Sequence, residues 1–187
     1  VHKPVIKTVS IENTHLASGG SIVTFESIKS LSNLVRQHEL MLHVDGARIW
    51  HAILEDNNTM NYGSYCDSLT FCFSKALGAP IGSILLGSEQ FIKEAREFRK
   101  KLGGGMRQVG VIASMAGVAL QNRQIILDDH AKAKKVYEFL NSSLNNEKIE
   151  RIVYKGTNMI FLNLKNEEDP NKLLDIFYNE SINAGLI

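Results

Sequence analysis

Little in this 187-residue chain points to an extreme class of protein. An excess of charge is lacking: 21 Lys and Arg stand against 20 Asp and Glu, a formal net charge of +1. A chain so balanced has no electrostatic reason to hold a phosphate backbone, so nucleic acid is not expected as a partner. Cysteine is scarce, and the two present, Cys66 and Cys72, match neither a disulfide framework nor a metal motif. They read as half-buried reduced thiols of a cytoplasmic protein. No apolar run approaches the roughly 18 residues that span a bilayer, so no membrane is expected. No leader is legible in Val1-His2-Lys3-Pro4, and without an initiator Met a processed or excerpted chain is expected. A GxxxxGK[ST] loop and a post-strand GxGxxG are both missing, which argues against a nucleotide or dinucleotide.

What is present suits a folded core. The hydrophobic fraction is 44% and the charged fraction 22%, far from disorder. The length allows one domain, or one domain and part of another. Short β-branched runs alternate with longer amphipathic ones, which predicts an α/β fold with a mostly parallel sheet. Strands are expected at Val5–Ile11, Leu40–Val44, Ser68–Phe73 and Ile81–Leu86. Phe25, Ile28, Leu31, Leu34 and Val35 recur near helical spacing and predict a helix over Thr24–His38. Further helices are expected over Ser88–Lys101, Arg107–Leu127 and Asp129–Asn145, with Gly103-Gly104-Gly105 breaking the first two apart. Strands at Arg151–Tyr154 and Asn158–Leu164 and a helix over Pro170–Tyr178 begin a second, smaller α/β unit. The division is therefore 1–145 for a large domain and 146–187 for an incomplete small one, since the chain stops at Ala184-Gly185-Leu186-Ile187.

Polar clusters fall at the C-terminal ends of three predicted strands, where open parallel sheets place ligands. They are Glu12–His15, Asp45–Arg48 and Ser74-Lys75. Lys75 follows Leu69-Thr70-Phe71-Cys72-Phe73 and precedes Ala76-Leu77-Gly78-Ala79-Pro80. A lysine among such neighbours is expected to be desolvated, with a lowered pKa and an amine able to form a Schiff base. The plainer reading is a surface lysine at a strand end. Asp45, 30 residues earlier, could pair with the protonated ring nitrogen of pyridoxal phosphate (PLP), which keeps that ring an electron sink. Ala47 is small enough to lie against a ring, and Arg48 offers a planar fork for a carboxylate or phosphate. An Asp-Gly turn would explain Asp45 alone, but not Arg48 or Lys75. His15 could act on a substrate hydroxyl and Ser74 could donate to a phosphate, although both residue types are common at strand ends without function. Arg107 is expected at a helix N-terminus, where an anion is welcome. A metal at His43 and Asp45 would need a third ligand that the sequence does not offer.

These residues resemble a known family. Glu-Asn-Thr-His (12–15), His-Val-Asp-Gly-Ala-Arg (43–48), Cys-Phe-Ser-Lys-Ala-Leu-Gly-Ala-Pro-Ile-Gly-Ser (72–83) and Arg-Lys-Lys-Leu-Gly-Gly-Gly-Met-Arg-Gln (99–108) are similar, in order and spacing, to low-specificity threonine aldolases. Those are PLP-dependent enzymes of fold type I, and the likeness runs from about Thr8 to about Leu164. It implies that Lys75 carries PLP, Asp45 partners its ring nitrogen and Arg48 helps bind the substrate carboxylate. It further implies that His15 lies near the substrate hydroxyl and that Lys100 and Arg107 are basic residues close to the active site. The implied reaction splits threonine or allo-threonine into glycine and acetaldehyde. The implied assembly is a homotetramer, a dimer of dimers with active sites at subunit interfaces.

The resemblance also has gaps. The family's N-terminal phosphate-cradling Gly-Thr turn, its ring-stacking residue and its C-terminal substrate-clamping arginine have no counterpart here, so a fragment of doubtful activity on its own is expected. Two alternatives stand beside the aldolase: another fold type I lyase, β-eliminating or of the serine hydroxymethyltransferase kind, and a catalytically silent truncated subunit.

Overall fold

The computed structural model describes residues 4–56, 61–143, 149–165 and 170–179. Four strands form the main sheet: β1 (Thr8–Glu12), β2 (Met41–Asp45), β3 (Ser68–Cys72) and β4 (Ser83–Gly87), in that spatial order. The first three are parallel and β4 joins antiparallel. Glu12 pairs with Asp45, and Asp45 with Thr70, so the C-terminal ends of β1 and β2 are level and β3 runs on past them.

The core follows from alternation on β2. Leu42 and Val44 are buried on one face, while His43 on the other donates to or accepts from the Ser68 hydroxyl at 2.8 Å. Helix α1 (Phe25–Gln37) presents Ile28, Ser32 and Val35 inward, the i, i+4, i+7 spacing of one helical face. Its start is fixed by the Thr24 hydroxyl, which accepts from the Ser27 amide at 3.3 Å. A short helix α2 (Ile49–Glu55) leaves the end of β2 and buries Ile49, His51, Ala52 and Leu54. The sequence reading did not assign it, because a seven-residue segment is too short for periodicity to declare itself.

Helix α3 (Glu89–Lys101) starts at Ser88, whose hydroxyl accepts from the Phe91 amide at 3.3 Å, and ends in Arg99, Lys100 and Lys101, cations favourable at a helix C-terminus. The single helix expected over Arg107–Leu127 is instead α4 (Gly110–Gln121), followed after a turn by α5 (Ile125–Ser143). Gln108 adopts a left-handed φ of 53°, which keeps the residues before Gly110 out of the helix. At the other end Arg123 closes α4 by donating to the Leu120 carbonyl at 3.1 Å and lies over the Trp50 ring. The helix expected over Asp129–Asn145 is α5, which begins four residues earlier; the other strand and helix bounds coincide with expectation or differ from it by at most three residues.

Strands β5 (Ile149–Tyr154) and β6 (Ile160–Leu164) form a separate antiparallel pair, and α6 (Pro170–Asn179) follows. The pair is tied to the main sheet's first loop, where the buried Thr157 hydroxyl donates to the Gly20 carbonyl at 2.9 Å. A side chain at Gly20, whose φ is +73°, would meet that hydroxyl at 2.5 Å. The boundary expected at residue 146 and the chain's last residues lie outside the described residues. Cys66 and Cys72 are both free and half-buried; the Cys66 thiol donates to the Tyr62 carbonyl, and burial pushes its pKa up. Among the described residues, no helix is long and apolar enough to cross a membrane.

Candidate active site

Parallel pairing of β1, β2 and β3 brings the three polar clusters to one edge of the sheet. At the end of β1, Asn13 is fully buried and acts as a clamp. Its amide donates to the Val23 carbonyl at 3.2 Å and to the Tyr62 hydroxyl at 2.9 Å, and its oxygen accepts from the Val23 amide at 3.1 Å. Its backbone amide donates to the Asp45 carbonyl at 2.9 Å, which joins the ends of β1 and β2. Burial keeps the Tyr62 phenol protonated, its pKa pushed up to about 12, so it remains a partner for Asn13 across the ordinary pH range. The sequence reading quoted Asn13 but gave it no role; an Asn between a strand and a turn carries no signal that its side chain points inward.

His15, two residues on, is half-exposed. Its Nδ1 hydrogen-bonds the Ser18 hydroxyl and its Nε2 lies 3.8 Å from Glu12 Oε2. With Nδ1 donating to Ser18, Nε2 is the ring nitrogen without a proton, and it faces the Glu12 carboxylate. A cavity of about 550 Å³ opens next to this turn, lined by Ser18, Tyr137, Arg151, Tyr154 and Lys155 among others. Asp45, Arg48, Ser74 and Lys75 do not line it.

Asp45 is the last residue of β2 and is exposed. One carboxylate oxygen accepts from the Ala47 amide at 3.0 Å, and among the described residues no donor reaches the other. Gly46 donates to the Thr70 carbonyl at 2.8 Å, and a Cβ there would sit 2.6 Å from that same oxygen. Glycine is therefore what lets the turn after β2 press against β3. Ala47 and Arg48, which follow it, are both half-buried. Arg48 is the N-cap of α2.

Ser74 and Lys75 lie in the loop from β3 to β4. That loop is folded on itself: Phe73 donates to the Gly82 carbonyl, Ala79 to the Phe73 carbonyl and Gly78 to the Lys75 carbonyl, at 2.9, 3.0 and 2.8 Å. Leu77 and Ala79 turn into the core. Lys75 does not follow them; it and Ser74 are exposed, against the expectation of a desolvated lysine. Apolar neighbours in sequence bury themselves beneath the loop and leave the lysine on top of it. Arg107 also differs from expectation. It lies in a turn three residues before α4 rather than at the helix N-terminus, and it is exposed. Lys100 is exposed in the last turn of α3. Among the described residues no hydrogen bond or ion pair joins Asp45, Lys75, His15, Lys100 and Arg107 to one another; the first three lie at or just past the C-terminal ends of β2, β3 and β1, Lys100 in the last turn of α3 and Arg107 in the turn before α4.

The donor set suits PLP. An exposed carboxylate with a free oxygen answers a pyridinium proton, a small residue follows it, and an exposed lysine lies on the adjoining strand's loop. Solved structures of other proteins share this α/β architecture. A crystal structure of a putative L-allo-threonine aldolase from Listeria monocytogenes matches 99% of this chain and 52% of its own, with a TM-score of 0.80 at 22% identity. A threonine aldolase from Leishmania major matches 97% of this chain with a TM-score of 0.72 at 21% identity. The chain belongs to the beta-eliminating lyase family, whose model matches residues 1–165. Among curated relatives, the low-specificity L-threonine aldolase of Candida albicans is 39% identical over 94% of this chain, and that of Escherichia coli K12 is 38% identical over 89%. The chain spans slightly less than half the length of these relatives, 46% and 48%.

Proposed function

We propose that this chain is part of a PLP-dependent aldolase that cleaves L-threonine and L-allo-threonine to glycine and acetaldehyde. The observation that carries the reading is the placement of Asp45 and the Lys75 loop at the ends of adjacent parallel strands, with Gly46 pressed against Thr70 between them. The aldolase names of relatives 38% and 39% identical support the substrate.

When bound, PLP supplies a sink for the electron pair left on Cα as the Cα–Cβ bond breaks. Lys75 would hold its aldehyde carbon through the ε-amine and yield that carbon to the incoming amino acid. The free oxygen of Asp45 would keep the ring nitrogen protonated, and Ala47 would lie against the ring. Ser74 and Arg107 would serve its phosphate. Arg48 and Lys100 would take the substrate carboxylate, Arg48 with the planar fork that suits it. His15 would remove the β-hydroxyl proton at Nε2, the ring nitrogen 3.8 Å from Glu12 Oε2.

The division into residues 1–145 and 146–187 is part of this reading, supported by the separate pairing of β5 with β6. So is a homo-oligomeric, dimer-of-dimers assembly, supported by the apolar side chains exposed on and before α4: Leu102, Met106, Val109, Val111, Met115 and Val118. The two free thiols accord with a cytoplasmic location. A β-eliminating lyase is the second reading, favoured by the family model's own description. Incubation of the PLP-loaded protein with L-threonine and L-serine separates the two. Acetaldehyde and glycine from threonine are expected; pyruvate and ammonia from serine, without acetaldehyde, would favour the lyase.

A further inference from the structure

Connections between strands run over the surface, yet the one from β5 to β6 has a fully buried residue near its tip. Thr157 is 0% exposed, although Gly156 and Asn158 on either side of it are exposed. Its socket is the Gly19-Gly20 turn in the loop that follows β1. Both glycines are buried and both have a left-handed φ, 80° and 73°. A Cβ on Gly19 would touch Lys155 Cγ at 3.5 Å and Val153 Cγ1 at 3.6 Å. One on Gly20 would meet Met159 Sδ at 3.3 Å as well as the Thr157 hydroxyl. The paired glycines turn the chain and also leave the space into which the hairpin closes.

The Thr157 hydroxyl is directed at a single peptide. It donates to the Gly20 carbonyl at 2.9 Å, and that carbonyl belongs to the peptide joining Gly20 to Ser21. The same two residues hold His15. The Gly20 amide donates to the His15 carbonyl at 3.0 Å, and the Ser21 carbonyl accepts from the His15 amide at 3.0 Å. Both backbone groups of His15 are therefore bonded to the residues whose shared peptide Thr157 holds. The ring is held within the same loop, where Nδ1 meets the Ser18 hydroxyl. The foot of the loop has its own clamp, Asn13 on Val23. The crown is held by a residue 137 positions further along the chain.

We propose that Thr157 is a positioning residue for His15. Its hydroxyl fixes the Gly20–Ser21 peptide, and that peptide's two residues fix the backbone from which the His15 ring reaches a substrate's β-hydroxyl. The β5–β6 hairpin thereby sets the geometry of a group at the edge of the main sheet. The reach to the β-hydroxyl rests on the function proposed above; the hold of Thr157 on the His15 backbone does not.

The test separates the hydroxyl from the bulk of the side chain. Thr157→Val keeps the branched shape and leaves the buried Gly20 carbonyl without this donor, whereas Thr157→Ser keeps the hydroxyl. Amide hydrogen exchange is read at His15 and Gly20 in the chain without PLP, with the Asn13 amide, bonded to the Asp45 carbonyl, as internal reference. In Thr157→Val the His15 and Gly20 amides should exchange about tenfold faster while Asn13 stays within about twofold. Thr157→Ser should bring both back to within about threefold of the unmodified chain. With PLP loaded, Thr157→Val should lower kcat for acetaldehyde release from L-threonine about tenfold, and Thr157→Ser should recover most of it. Binding of glycine, which has no β-hydroxyl, should be unchanged in both. Unaltered exchange at His15 in Thr157→Val, no recovery in Thr157→Ser, or glycine binding weakened as much as kcat would overturn the proposal. If the unmodified chain takes up no PLP, the proposed function fails, and exchange at His15 still decides whether Thr157 holds it.

Discussion

Two regions of this molecule bury their apolar side chains very differently. Around β2, the side chains of Ile28, Val44, Ala52 and Ile126 are at 0% exposure, drawn from α1, α2 and α5 as well as the strand. Along α4 the sequence Gly-Val-Ile-Ala-Ser-Met-Ala-Gly-Val-Ala-Leu-Gln is apolar nearly all round, yet only Ala116 and Ala119 are buried. Val118 is 58% exposed and Leu102, just before the Gly103–Gly105 run, is 84% exposed. A helix apolar on every side is patterned to be covered on every side. One region has its packing partners within the chain; the other leaves its apolar side chains exposed among the described residues.

The candidate site straddles the two. Asp45, Ala47 and Arg48 adjoin the packed region, where the Asn13 amide donates to the Asp45 carbonyl and Gly46 to Thr70. Lys75 and Arg107 belong to the open one, exposed on a loop and a turn. The half proposed to meet a ring nitrogen and a carboxylate adjoins the core; the half proposed to hold the cofactor's aldehyde and phosphate is on the surface.

The comparison can be broken first by substitution. Ile28→Ala, at a site with no exposure, should cost about 3 kcal/mol or more in a chemical denaturation series, because transfer and cavity terms add. Val118→Ser should stay within about 0.5 kcal/mol, because little of Val118 is buried. Equal effects would mean that the two regions are not packed differently. A smaller effect comes from pH. His51 binds its proton at about 4 when folded and near 6.5 when unfolded, so between those values the unfolded chain holds more protons. Stability should therefore fall as pH drops from about 6.5 to about 4, by at most roughly 3 kcal/mol, and His51→Asn should flatten that part of the profile. A profile unchanged in His51→Asn would place the loss elsewhere.

Most of the fold was legible in the sequence. Alternation at Leu42 and Val44 and the helical spacing of Ile28 and Val35 reflect burial that the chain itself satisfies, so periodicity located β2 and α1. The strand-end clusters were legible for the same reason, since parallel strands fix where their C-terminal residues gather. What escaped reading depends on three-dimensional detail. Helix α2 is too short to announce a period. Gln108 adopts an unfavourable left-handed φ that no residue type signals, and so moves Arg107 off the helix. Lys75 lies on a loop whose apolar residues pack beneath it, so flanking hydrophobicity gave the wrong exposure. Asn13 and the His51–His130 pair, 79 residues apart, are polar groups whose burial becomes visible only when the partners are placed.

The most direct test of the account is chemical. The purified chain is mixed with PLP, reduced with borohydride, digested and mapped by peptide mass spectrometry. A pyridoxyl label on Lys75, lost in Asp45→Ala or reduced at least about tenfold, is the result expected if the strand-end carboxylate and this lysine form one site. Label spread over surface lysines, or none at Lys75 in a chain shown to be folded, would contradict it.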